Sequence, residues 1–225
     1  MRSPRRSRGL SIVELLVGTA VGLVIVAAAT TVVTRHAREN RALAIETRLV
    51  QDLRTAADII ARDLRRAGHW GGSASGVRGD DGSPVLTNPY ALVTPETAAS
   101  DAVRLSFSRD AGENGIVDGN ERFGFRLRNG AIELQLGDGN WQALTDPATL
   151  SVVAFEVAPR TEETSLERFC AEPCAVGSTT CPPRLQVRSY AVAIEARAVA
   201  DPSVRRSVLT GARLRNDAVV GRCEA

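Results

Sequence analysis

The chain has no lysine: all 28 of its basic residues are arginines. That is the habit of a GC-rich genome rather than a functional choice. Histidine is almost missing too, with only His36 and His69. They fall at the two ends of a segment that reads as one long helix, too far apart to share a site. Neither has a cysteine or a G-x-S-x-G serine nearby, and the chain contains no P-loop and no HExxH. Nucleophilic, metalloprotease and nucleotide-hydrolysing chemistry are therefore left without a motif, and neither an enzymatic activity nor a cofactor is expected. Cysteine does not occur before position 170, and the later cysteines form no Cys-x-x-Cys, which leaves a redox couple unsupported. Residues 35–67 lack glycine and proline, and residues 10–34 lack every charge but one.

That one charge is Glu14. It sits near the start of LSIVELLVGTAVGLVIVAAATTVVT, residues 10–34, a run long enough at 1.5 Å per residue to span a hydrocarbon core of roughly 30 Å. A carboxylate in such a core costs at least a few kcal/mol and normally has a partner. The preceding leader, MRSPRRSRG, carries four arginines, which by the positive-inside rule puts the N-terminus in the cytoplasm and the rest outside. The formal net charge of +2 comes from that leader: without its four arginines, 24 basic residues face 26 acidic ones. A strongly basic, nucleic-acid-binding surface is not supported, and nucleic acid is not expected as a direct specific ligand. Four cysteines near the C-terminus, Cys170, Cys174, Cys181 and Cys223, suit an oxidising compartment and two disulfides.

The string RGLSIVELLV resembles the processing site of type IV prepilins. The resemblance implies that a prepilin peptidase cuts between Gly9 and Leu10 and N-methylates Leu10, and that Glu14 guides assembly by neutralising a neighbouring subunit's new α-amino group. That pairing is worth most where water is absent. The sequence departs from the family in one respect: the first mature residue is Leu where Phe is usual. Two other readings compete. One is a secretory signal peptide cut near Ala27-Ala28-Ala29, against which stand the length of the run and its early charge. The other is a plain single-pass anchor with Glu14 near the interface.

Beyond residue 34 the helix is expected to continue. Ala42, Ile45, Leu49, Leu53, Ala56, Ile60, Leu64 and Ala67 recur at steps of three and four, one stripe of a 3.6-residue period, with Arg48, Asp52, Arg54, Asp58 and Arg62 on the other faces. A coiled coil would show a similar stripe, though with larger residues over more heptads. Gly68 is the natural stop. The segment ARDLRRAGHWGG, residues 61–72, resembles the end of the long helix in PilW-type minor pilins, with His69 where Tyr is commoner. The expectation is that Trp70 folds back on the helix end while Gly68, Gly71 and Gly72 allow the turn.

Residues 71–101 read as an irregular connection rich in Gly, Ser, Pro and Thr. Alternating patterns then predict strands around Val103–Phe107, 122–128 and 132–136, the last two joined by Asn129-Gly130, a strong hairpin signal. A turn at Asp138-Gly139-Asn140 leads into 141–144, and later strands are expected at 150–157, 185–198 and 204–214. Between the first two strands, residues 110–121 offer Asp110, Glu113, Asn114, Asp118, Asn120 and Glu121. Their spacing is not that of an EF-hand; a solvated acidic turn is expected there, with Ca²⁺ the sharper alternative and no metal site assigned. The four cysteines allow three pairings. One bridge within 170–181 and one tying Cys223 back to that excursion is the preferred arrangement, zinc ligation the alternative.

The fold expected is α+β and type IV pilin-like: a long N-terminal helix packed on an antiparallel sheet. The divisions are a leader (1–9), a transmembrane and filament-core helix (10–34), its amphipathic continuation (35–68) and a β-rich head (69–225). The resemblance implies a PilW-like minor pilin that primes type IV pilus assembly at or near the tip, supporting twitching motility, adhesion or DNA uptake. Its partners would be the prepilin peptidase, other major and minor pilins and the inner-membrane assembly platform. It would lie in the inner membrane with a periplasmic head before assembly, then in the extracellular pilus. A type II secretion minor pseudopilin and a non-polymerising, membrane-anchored periplasmic binding module are the alternatives.

Overall fold

The computed structural model describes residues 11–76, 86–109 and 111–224. The chain divides into two compact units, Met1–Ile45 and Glu46–Ala225. Helix α1 runs from Ile12 to Arg66. Its interior is free of proline, so nothing interrupts the hydrogen-bond ladder. Two arginines, Arg65 and Arg66, occupy its last turn, where the exposed carbonyls favour positive charge. The ending is at the expected residue: Gly68 takes φ +74°, and its N–H turns away from the helix to Ser106 O at 2.9 Å.

In the second unit, six of the eight stripe residues are buried: Leu49, Leu53, Ala56, Ile60, Leu64 and Ala67. The first two differ, Ala42 being exposed and Ile45 half-buried. Ala57 and Ala61 widen the buried face. Each large aliphatic side chain so buried contributes about 1.5–3 kcal/mol, far more than the helix propensity of any one residue.

The head holds two antiparallel sheets rather than the single sheet expected. The first orders β1 (Ala102–Ser106), β2 (Arg122–Arg128), β3 (Ala131–Leu136) and β4 (Trp141–Ala143) as a meander. The β2–β3 turn is the predicted one: Asn129 at φ 51° and Gly130 at φ 74° give the two positive values that a type I′ hairpin requires. The second sheet centres on β6 (Arg184–Ala198), flanked by β5 (Leu150–Ser165) on one side and by β7 (Arg205–Arg213) and β8 (Ala218–Val220) on the other. The sheets meet through β5, which packs against β1, β2 and β3. Val103, Phe125, Ile132, Val157, Val192 and Ile194 fill the core, none more than 1% exposed.

Three strand details depart from expectation. β5 continues to Ser165 instead of ending near 157, because Arg160–Ser165 pairs in register with Arg184–Ser189 although the segment is too polar to show alternation. β8 was not anticipated. In β3 the burial inverts at the end: Gln135 is 8% exposed and Leu136 is 43% exposed, although alternation assigned Leu136 to the core.

Candidate functional site

The sequence singles out three regions: the apolar start of α1, the loop after the helix end, and the cysteine-rich excursion. In the first, Gly9 and Leu10 lie outside the described residues. Glu14 occupies the first turn of α1. Around and beyond it large apolar side chains stand exposed on every side, Leu15 at 60%, Leu23 at 71% and Val24 at 68%. α1 is long and apolar enough to cross a membrane. Its hydroxyls are satisfied within the helix: Thr19 donates to Leu16 O at 2.9 Å, Thr30 to Val26 O at 2.7 Å and Thr31 to Ala28 O at 2.7 Å. Such back-bonding leaves no polar group there that needs water. Glu14 is the exception, with no ion-pair partner among the described residues.

The second region is organised by a residue that sequence reasoning passed over. Tyr90 lies in the Pro- and Thr-rich connection, yet it is fully buried. Its hydroxyl is 3.0 Å from Glu121 Oε2, 3.0 Å from Glu113 Oε1 and 3.1 Å from Ile116 O. Glu121, 0% exposed, also accepts the N–H of Arg109 at 2.7 Å and of Asp118 at 2.9 Å. Glu113 accepts the N–H of Gly71 at 3.0 Å and of Gly115 at 3.1 Å. These contacts correct the expectation of a solvated turn: Glu113 fastens the loop to Gly71, just after the helix, and Glu121 is taken into the core beside Tyr90. Burial, reinforced by hydrogen bonds to Glu121 and Glu113, pushes the Tyr90 phenol well above its usual range. Burial would raise Glu113 as well, but hydrogen bonds from Ser108, Gly115, Tyr90 and Gly71 outweigh it and hold that carboxyl below the usual range. Among the described residues no group of three or more His, Cys, Asp or Glu is placed to hold a metal ion.

Trp70 is buried as expected, at 7% exposure. Gly68 alone of the three turn glycines takes positive φ. Gly72 serves by leaving room, since a Cβ there would stand 2.9 Å from Trp70 Nε1. Asn88 and Asn216 finish the helix end by donating to Gly68 O at 2.8 Å and Ala67 O at 3.1 Å. His69 lies on the surface beside Arg65, Arg66 and Arg215, remote in sequence from His36.

In the third region Cys174 pairs with Cys181 and Cys170 with Cys223, across Cα separations of 5.5 and 5.4 Å. Of the three pairings this is one bridge inside the excursion and one to the C-terminal end. All four thiols are consumed by it, so none is left to ligate zinc. The C-terminal segment is further tied by Arg222 N–H to Thr180 O at 2.9 Å and by Ala175 N–H to Glu224 Oε2 at 3.0 Å.

A long helix with an apolar, exposed start and a face buried by a disulfide-closed β head is the architecture of a pilin subunit. Residues 42–214 match the family model described as PpdB, prepilin peptidase-dependent protein B. The chain belongs to this family. Neither the curated proteins nor the solved structures give a match. The PpdB match covers α1 from Ala42 onward and nearly all of the head, and it starts downstream of Gly9, Leu10 and Glu14. It makes the chain a type IV pilin-related protein of a structural family dependent on prepilin peptidase.

Proposed function

We propose that this PpdB-family protein is a PilW-like minor pilin, a subunit that helps to prime a type IV pilus and sits at or near its tip. The observation that carries the reading is the contrast along α1. Its start exposes apolar side chains all round and holds one acid, Glu14, while from Leu49 onward one face is buried in the head. Water does not suit the first part; a bilayer, and then the packed helices of other pilins, does.

The mechanism follows from charge. The prepilin peptidase cuts after Gly9 and methylates Leu10, which leaves a positive amine at the end of an apolar helix. In the inner membrane, with the head in the periplasm, Glu14 of one subunit meets that amine of the next. In a medium of low dielectric such a pair attracts far more strongly than in water, and separating it leaves two costly lone charges. The assembly platform then draws the paired subunits outward as the helices pack. Twitching motility, adhesion and DNA uptake are the activities that such a filament supports.

The test is Glu14→Ala. Cleavage of the leader is expected to proceed, while the variant is lost from sheared surface filaments. Normal incorporation of the variant contradicts the role given to the carboxylate. Wild-type protein confined to the periplasm, with none in the sheared fraction, favours a secretion pseudopilin instead.

A further inference from the structure

We infer that the outer face of the first sheet carries a binding groove for an acidic sugar, a pyranose bearing a carboxylate. The inference does not depend on whether the chain polymerises. The groove, about 570 Å³, lies within the size range of small-molecule sites. It is built on one transverse row of directly paired residues: Thr94 opposite Arg104, Arg104 opposite Gly124, Gly124 opposite Gln135 and Gln135 opposite Trp141. Residues directly opposite one another share a face of the sheet, so the row crosses four strands without changing sides.

Gly124 lies beneath the Gln135 and Trp141 side chains that line the groove. A Cβ there would stand 2.8 Å from Val103 O, 3.3 Å from Gln135 Oε1 and 3.4 Å from the Trp141 ring. No larger residue fits without displacing backbone, and both neighbouring side chains lean over the gap. Trp141 is held in place: the Arg126 guanidinium lies 3.9 Å from its ring centroid, and Arg126 Nε donates to Glu133 Oε2 at 2.7 Å. Its remaining surface lines the groove.

Gln135 points to a ligand. The residue is 8% exposed, and it lines the groove. Among the described residues no hydrogen bond engages its side-chain amide, which keeps access to solvent at the groove, so both its donor and its acceptor are free for a ligand. An amide offers a donor and an acceptor together, which matches hydroxyl groups, themselves both donors and acceptors; a bare anion uses the donor alone. Leu92, 60% exposed, lines the same groove with Pro89 and Val117, apolar surface suited to the C–H face of a sugar ring. Arg104 adds one cation without a carboxylate partner among the described residues, whereas Arg122 is already engaged by Asp138 at 3.1 Å. One uncommitted positive charge selects one negative substituent and is too little for a polyanion backbone.

The test uses the full chain in a zwitterionic detergent free of sugar, titrated with trigalacturonate, with neutral maltotriose and with inorganic triphosphate. Binding is followed by calorimetry and by tryptophan fluorescence, to which the buried Trp70 is blind. Saturable binding of trigalacturonate is expected, with maltotriose weaker and triphosphate weaker still. Arg104→Ala, a substitution at an exposed position, is expected to weaken trigalacturonate at least tenfold and leave maltotriose unchanged. Trp141→Phe and Gln135→Met are expected to weaken both sugars. Absence of saturable sugar binding overturns the inference. So does triphosphate binding as tightly as trigalacturonate, or an affinity that none of the three variants alters.

Discussion

The phenolic oxygen of Tyr90 lies 3.0 Å from Oε2 of Glu121, and both residues are wholly buried. The buried Glu121 carboxyl is met by two N–H donors, Arg109 and Asp118, and by the Tyr90 hydroxyl, whose one proton is shared with Glu113. Tyr90→Phe removes one donor and keeps the ring. A loss of about 1–3 kcal/mol is expected, the cost of leaving a buried acceptor short of a partner. Urea unfolding of the full chain in micelles, followed by fluorescence, measures it. A change within error of zero would mean that the hydroxyl does not support the carboxylate.

The same cluster sets the pH response. Tyr90 is raised in the folded protein above its ordinary value of 10.0, by burial first and then by Glu121 and Glu113. The folded state therefore holds a proton that the unfolded chain releases, so stability is complete below pH 10.0 and falls as pH rises beyond it. On the acid side Glu113 is depressed from 4.5, so its contribution is present above that value and is lost as pH falls through its lower folded value. Thermal melts between pH 3 and 11 should show both edges. The alkaline edge should soften in Tyr90→Phe.

Asp63 works in the opposite direction. It is 7% exposed on the buried side of α1; burial raises its carboxyl above 3.8, and Arg62 and Arg66, at 3.9 and 4.0 Å, recover only part of that cost. The folded state favours its protonated form, so its ionisation subtracts stability as pH rises through the folded value. Asp63→Asn should raise the melting temperature at pH 7 and lose that advantage below pH 3.8. A lower melting temperature at pH 7 would show that the two arginines matter more than burial.

The bridges should differ in weight. Cys170–Cys223 spans 53 residues and Cys174–Cys181 spans 7, so loop-closure entropy assigns the first about 4 kcal/mol and the second about 2 kcal/mol. Paired Cys→Ser variants compared by urea unfolding give the two values. The reverse order would mean that the native contacts of the short excursion, rather than chain entropy, carry its stability.

Much of this was legible in the sequence because its periodicities are clean. Leu49, Leu53, Ile60 and Leu64 keep the helical step, and Val103, Leu105 and Phe107 keep the strand step; all are buried as those steps require. Asn129-Gly130 marked its own turn. What stayed hidden depends on partners distant in the chain. Arg160–Ser165 is strand only because β6 supplies its ladder, and no local pattern records that. Tyr90 and Glu121 are separated by 31 residues, and neither segment looks like core until the two meet. An aromatic in a Pro- and Asn-containing stretch was the available signal. Gln135 misled for a related reason: Trp141, placed over Gly124, covers the face that alternation had assigned to solvent.

The central claim is that a cut at Gly9 creates the amine that Glu14 serves. Mass spectrometry of the N-terminal peptide from the membrane-bound and filament fractions tests it most directly. The expected peptide begins at Leu10 and carries one methyl group on its α-nitrogen. A chain that still begins at Met1, or one that begins near residue 30, contradicts the filament mechanism.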